Sequence, residues 1–311
     1  MKLLKFKIVI FILFNCWVSL AQQLPQFTQY MYNTISINPA YAGSRETFSV
    51  VGLHRSQWVG LEGGPTTQTL SIHAPLRNDR VGIGLSFIND QLGYENFTYL
   101  YGDFSYTLPI GINSRLAFGI KGGFTQYTLD QEILNDPEVA NDPFFNEVSN
   151  RWSPNIGLGM FLHSNKYYIG LSAPRILNTD YNNGKQGAVD YVALERVSYY
   201  LTGGYVFDLG ATAKFKPAFL IKATNGAPIS FDVTANFLFN EKFWIGGSYR
   251  INESAAALGA ITDFQVSKQF RVGYAYEYPI SEIRAYTSGT HEVLMIYELF
   301  KSKRIKSPRY F

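Results

Sequence analysis

Apolar and polar positions alternate along most of this chain. From Leu116 to Phe124, Leu116, Phe118, Ile120 and Phe124 fall on one parity, and Ala117, Gly119, Lys121 and Gly123 on the other. Successive side chains of a strand point to opposite faces, so this segment predicts a strand with one large apolar face and one small face. The same division separates Val81, Ile83, Leu85 and Phe87 from Gly82, Gly84 and Ser86. It separates Ile156, Leu158, Met160 and Leu162 from Asn155, Gly157, Gly159 and His163. Phe215, Pro217, Phe219 and Ile221 alternate with Lys214, Lys216 and Lys222. Ile229 to Phe239 and Phe270 to Glu277 repeat the pattern.

About fourteen strands are predicted this way, with cores at 47–55, 66–74, 81–89, 97–108, 114–127, 152–163, 166–173, 196–208, 212–223, 228–239, 242–250, 255–265, 269–278 and 290–300. Every second connection is short: 75–80, 109–113, 164–165, 209–211, 240–241 and 266–268. The others include the long ones, 56–65, 128–151, 174–196 and 279–289. Short turns alternating with longer loops are the mark of a transmembrane antiparallel β-barrel, with short turns in the periplasm and long loops outside. An even strand count then puts both termini in the periplasm. A soluble sandwich also alternates, but here the polar face is small and rich in glycine, and the apolar faces end in Tyr, Phe or Trp like an interfacial girdle. The expected fold is therefore an all-β outer-membrane barrel.

Composition agrees. Charged residues are 16 % and aromatics 16 % of the chain, where a soluble domain carries roughly 25 % charge. The N-terminus adds a compartment. Lys2, Lys5 and Lys7 precede an apolar run from Ile8 to Leu20, too short to span a bilayer, and Ser19-Leu20-Ala21 is a small-x-small site. This reads as a cleaved signal peptide over 1–21. The single cysteine, Cys16, lies within it, so the mature chain has no disulfide. The formal charge of +3 leaves with the three lysines. The remaining basic character is local: Lys301 to Phe311 holds five basic groups and no acid. The organisation expected is signal peptide 1–21, an N-terminal periplasmic segment 22–46, a barrel 47–300 and a basic periplasmic tail 301–311. Nothing supports nucleic-acid binding.

No pattern of catalytic, metal or phosphate-binding residues appears, and no cofactor is expected. The histidines nearest to a catalytic placement, His163 and His291, read as interfacial polar residues. Asn135-Asp136-Pro137 and Asn141-Asp142-Pro143 read as turns in a solvated loop rather than a calcium site. Charged residues at strand centres are more telling: Lys121, Lys214, Lys216, Lys222, Asp103, Asp232, Arg250, Arg271 and Glu277 share the small-residue parity. A charge facing lipid at mid-membrane costs roughly 2–4 kcal/mol, so that parity is assigned to the lumen. The mixed signs point to an internally paired, mostly occluded lumen rather than a selective pore.

Ahead of the first strand stand Gln26-Phe27-Thr28-Gln29-Tyr30-Met31-Tyr32-Asn33 and Ile37-Asn38-Pro39-Ala40-Tyr41-Ala42-Gly43, followed by Arg55-Ser56-Gln57-Trp58 and Gly64-Pro65-Thr66-Thr67-Gln68. Gly170-Leu171-Ser172-Ala173-Pro174, Gly246-Gly247-Ser248-Tyr249-Arg250 and Ser307-Pro308-Arg309-Tyr310-Phe311 follow further on. Over nearly the whole mature chain this resembles the PorP/SprF family of type IX secretion system membrane proteins. The resemblance implies a non-enzymatic outer-membrane component of the system that exports adhesins, enzymes and gliding-motility proteins in Bacteroidetes-type bacteria. Its implied partners are periplasmic ring proteins of that system and secreted cargo with a C-terminal sorting domain, anchored at the cell surface. A passive porin or small-solute transporter is the alternative. Tyr30, Met31, Tyr32, Ile35, Ile37 and Tyr41 need a surface to cover, so segment 22–46 is expected to enter or cap the periplasmic mouth, with Asn38-Pro39 making the turn. Tyr30, Asn38, Pro39 and Tyr41 there, and Trp58, Phe144, Phe145 and Trp152 on the outer loops, are the candidate partner-binding residues. Phe300 and Phe311 compete as the barrel-assembly signal.

Overall fold

The structure, a computed structural model, describes residues 25–130, 151–179, 195–252 and 255–299. The signal peptide, the basic tail with Phe300 and Phe311, the Asn-Asp-Pro turns, and Phe144 and Phe145 lie outside the described residues.

The alternating segments form one antiparallel sheet that closes on itself. Its strands are β1 (Phe48–Ser56), β2 (Thr66–Pro75), β3 (Val81–Leu92), β4 (Glu95–Pro109), β5 (Arg115–Leu129), β6 (Arg151–His163), β7 (Tyr167–Ala173) and β8 (Ser198–Tyr205). They continue through β9 (Phe207–Asp208), β10 (Ala213–Thr224), β11 (Ser230–Phe239), β12 (Phe243–Ile251), β13 (Ala257–Gln265), β14 (Phe270–Pro279) and β15 (Thr290–Leu299). Neighbours in sequence pair in space, and β1 closes the ring on β15, with Phe48 opposite Leu299 and Ser56 opposite His291. Closure removes the sheet's edges, so hydrocarbon meets no unpaired row of amides.

The predicted eighth strand is interrupted. β8 and β9 both pair with β10, and buried Val206 between them donates its N–H to Lys166 O at 2.7 Å. The two pieces make one crossing, so fifteen strands give fourteen crossings. β3 and β4 run longer than their alternation suggests and leave only Gly93-Tyr94 between them. Gly93 takes a φ of +57°, which suits a tight hairpin. One end of the barrel thus carries only short turns, and the other carries the long connections 57–65 and 280–289. Those two loops are joined: Val59 donates to Gly289 O and Ser288 to Val59 O, both at 2.8 Å, so the β1–β15 seam continues above the strands.

The faces sort by size. Ile83, Leu85, Phe104, Phe118, Ile120 and Leu158 point outward and stay exposed. Between them, Gly82, Ser86, Asp103, Ser105, Ala117 and Lys121 point inward and are buried. At Ile120, which faces out with Phe104 and Leu158 beside it, an Ile120→Arg substitution is expected to cost roughly 2–4 kcal/mol, read as a lowered urea midpoint for unfolding from lipid vesicles.

Candidate functional site: a lumen filled from within

Residues 25–46 do not join the sheet. They fold into a 3-10 turn (Tyr30–Tyr32), one helical turn α1 (Thr34–Ile37) and a second 3-10 turn (Pro39–Tyr41). Asn38 starts the last turn: its side-chain oxygen accepts the N–H of Ala40 at 3.0 Å, and Pro39 supplies a φ suited to the first turn position. Every residue from Phe27 to Ala42 is buried. Turns this short do not hold themselves together in water, so the barrel wall must fix them.

The path runs the length of the lumen. Gln26 donates to Ser230 Oγ and Asp232 Oδ2 at the start of β11, on the long-connection end. The Thr28 N–H meets Glu292 at 2.7 Å, and Asn33 bonds Thr69 and Ser71 at mid-height. Ser172 donates to Ile37 O at 2.8 Å, and Asn38 to Met160 O at 3.0 Å. Ser105 then reaches Ala42 O at 2.6 Å, the Gly43 N–H meets His73 Nδ1 at 3.2 Å, and Arg45 pairs with Glu298 at 2.5 Å on the short-turn end. Of the two expected placements, entering the mouth or capping it, the segment shows entry, carried on through the whole lumen. The segment traverses the barrel, and Gln26 lies at the end opposite to the start of β1.

The inward glycines now have a cause. A Cβ on Gly119 would stand 2.2 Å from Ala40 N, and one on Gly159 2.1 Å from Asn38 Oδ1. At Gly119 the plug backbone lies directly against the wall, and at Gly159 the Asn38 side chain does.

Inward charges are paired across the remaining space. Lys121 meets Asp103 at 2.7 Å, and Arg271 meets Asp263 at 2.7 Å. Arg250 bridges Asp232 at 2.9 Å and Glu277 at 3.1 Å; Glu277 also receives Arg55 at 3.2 Å, and Arg55 ends on Glu292. Glu277 and Glu292 in turn bind Thr28, so the wall network is tied to the plug. Arg271 and Lys216 lie over the Tyr32 ring, at 4.7 and 5.0 Å from its centroid. Arg175, just past β7, pairs with Glu195 and lies 4.2 Å over the Tyr99 ring. Burial opposes its charge, but Glu195 and Tyr99 outweigh burial and hold the guanidinium above its usual range. A cavity of about 30 Å³ beside Phe27, Lys121 and Arg175 has room for a water or two rather than a solute.

Among the residues singled out from sequence, Lys121, Lys216, Lys222, Asp232, Arg250, Arg271 and Glu277 are buried inside. Lys214 sits at the short-turn rim with Asp208 at 2.8 Å and Glu241 at 3.5 Å. Tyr30, Asn38, Pro39 and Tyr41 are buried against the wall. They offer no open docking face here. Trp58 is half-buried at a φ of +56°, its N–H 3.3 Å from Thr290 Oγ1, whereas Trp152 is exposed on the outer wall. His163 stacks on Phe161, and His291 bonds the Tyr274 hydroxyl on the outer face, 2.6 Å away. Arg45, Arg55, Asp263, Glu292 and Glu298 were missed. Parity carried no signal on β1 and β15, because Val51, Leu53, Leu294 and Ile296 face inward to pack on Phe27, Tyr30, Met31 and Tyr32. At the centres of these strands both faces are apolar, with the polar inward residues towards the ends.

The family described as "Type IX secretion system membrane protein PorP/SprF" matches residues 19–297. The chain belongs to the PorP/SprF family. It is an outer-membrane component of type IX secretion, in a family of secretion-system barrels rather than enzymes. No curated protein matches it. Among solved structures, it is similar to the Acinetobacter baumannii outer membrane protein Omp33 at 11 % identity and a TM-score of 0.48, covering 82 % of this chain and 98 % of that one. The CymD monoaromatic hydrocarbon channel gives 11 % identity, 86 % and 91 % coverage and a TM-score of 0.49. The Ralstonia pickettii toluene transporter TbuX gives 12 %, 85 % and 92 %, and 0.49. The transport named for the latter two is theirs.

Two substitutions probe the filled lumen of this PorP/SprF protein. Gly119→Val, which forces a side chain into Ala40, is expected to expose the plug to protease in a barrel that still spans the membrane, while Gly122→Ala, whose Cβ has open space around it, leaves protection unchanged. Asp103→Ala strands the buried Lys121 ammonium and is expected to cost about 3–5 kcal/mol, measured as loss of heat resistance of the folded band in gels.

Proposed function

We propose that this barrel is a membrane-fixed platform of type IX secretion. It docks components of the periplasmic ring at its short-turn end and holds cargo with C-terminal sorting domains at its long-connection end. The basic composition of 301–311 favours an acidic partner. The observation that carries this reading is the plug. With Phe27 to Ala42 buried in the lumen and bonded to the wall along its length, the barrel has little to offer a permeant solute. Its ends and loops are the surfaces left for work. Trp58, on a loop pinned to 286–289, is the described aromatic best placed to anchor a partner at the long-connection end.

Two measurements test this. Tagged protein pulled down from native membranes is expected to bring a large secreted protein with a C-terminal sorting domain, together with ring components; recovery of neither removes the platform reading. In planar bilayers the full-length chain is expected to be electrically silent. A steady open conductance would favour the porin instead.

A further inference from the structure

The register places an uncharged polar face on the outside of the barrel, immediately above the lipid-facing band. On β1–β6, His54, Gln68, Asn89, Thr98, Gln126 and Trp152 stand opposite one another in a single cross-strand row. One step nearer the long-connection end, Ser56, Thr66, Gln91, Asn96 and Thr128 form a second row. One step the other way, the row is Gly52, Leu70, Phe87, Leu100, Phe124 and Pro154, wholly apolar or glycine. Polarity changes completely within one step.

The two polar rows contain no Asp, Glu, Lys or Arg. Their members are already organised. Asn89 Nδ2 donates to Asn96 Oδ1 at 2.7 Å and Thr98 Oγ1 at 3.1 Å, and His54 Nε2 lies 3.0 Å from Ser56 Oγ. The Trp152 side chain at the row's end is 60 % exposed. The face belongs to one side only: on β12–β14 the corresponding outward residues Tyr249, Leu258 and Tyr278 stay apolar or aromatic to the strand ends.

We propose that this face binds the neutral sugar headgroup of an outer-leaflet glycolipid, whose acyl chains lie on the apolar row below. The inference rests on the outer-membrane reading with the long-connection end facing the cell exterior. Three features choose this occupant. The face is continuous with the surface that lipid already covers. Amides and hydroxyls offer donors and acceptors together, as sugar hydroxyls require, while a phosphate would find no counter-charge. A protein interface would centre on apolar or Arg anchors, and here a single indole stands at the margin, placed to stack on a sugar ring. Six strands about 4.8 Å apart make the face roughly 24 Å wide, enough for more than one ring.

The test is native mass spectrometry of the full chain in detergent, titrated separately with digalactosyldiacylglycerol, phosphatidylglycerol and free galactobiose. Preferential retention of the galactolipid is expected. A Gln68→Leu, Asn89→Leu, Gln126→Leu variant that still runs as a folded barrel is expected to lose that retention about tenfold, the scale of one or two hydrogen bonds. Trp152→Ala, on an exposed side chain, gives the same reading should the triple variant fail to fold. Equal retention of phosphatidylglycerol, or unchanged retention in both variants, overturns the proposal. Binding of galactobiose as strong as that of the lipid overturns the assignment to a membrane glycolipid. A failed pull-down of cargo would leave these outcomes unaffected, so the two readings fall separately.

Discussion

A barrel of fourteen crossings encloses more space than its own small inward side chains can fill. An inside wall carrying Arg55, Lys121, Arg250, Glu277 and Glu292 must then meet either water or matching polar groups. This chain meets it with its own N-terminal segment. The wall needs the plug to fill the space beside its glycines and to bond Glu277 and Glu292. The plug needs the wall, because its turns are too short to stand alone. Neither is a finished structure without the other.

Much of the barrel was legible in the sequence because lipid imposes a strict period of two. The positions of all fourteen crossings follow from alternation, and the small parity marks the lumen on β3, β5, β11 and β14. Legibility fails where the plug packs. On β1 and β15 the inward residues Val51, Leu53, Leu294 and Ile296 are as apolar as the outward ones, so their faces look alike, and Arg55 and Glu292 went unnoticed between them. Position of the plug was obscured for a related reason. Tyr30 and Tyr41 clearly require cover, but only long-range partners such as Ser230, Met160 and Glu298 reveal whether that cover is at a mouth or through the whole lumen. The break at Val206 left no local trace at all.

The arrangement also divides labour. The outer wall presents apolar side chains, and the inner wall packs on the plug. That is consistent with a secretion-system family whose members are membrane barrels. The wall of β1–β6 adds one more zone on the outside: its apolar rows stop abruptly, and the residues above them are neutral hydrogen-bonding groups.

The plug touches β15 at both ends, through Thr28 and Gln29 on Glu292 and through Arg45 on Glu298. β15 is the last of the described strands, and it pairs with the first. A ring that shut around an empty lumen would leave Glu298 without Arg45 and Glu292 with Arg55 alone, in a space open to water. The stability of the β1–β15 seam is therefore coupled to the seating of the first residues described, so one strand reports on contacts made more than 250 residues earlier in the chain.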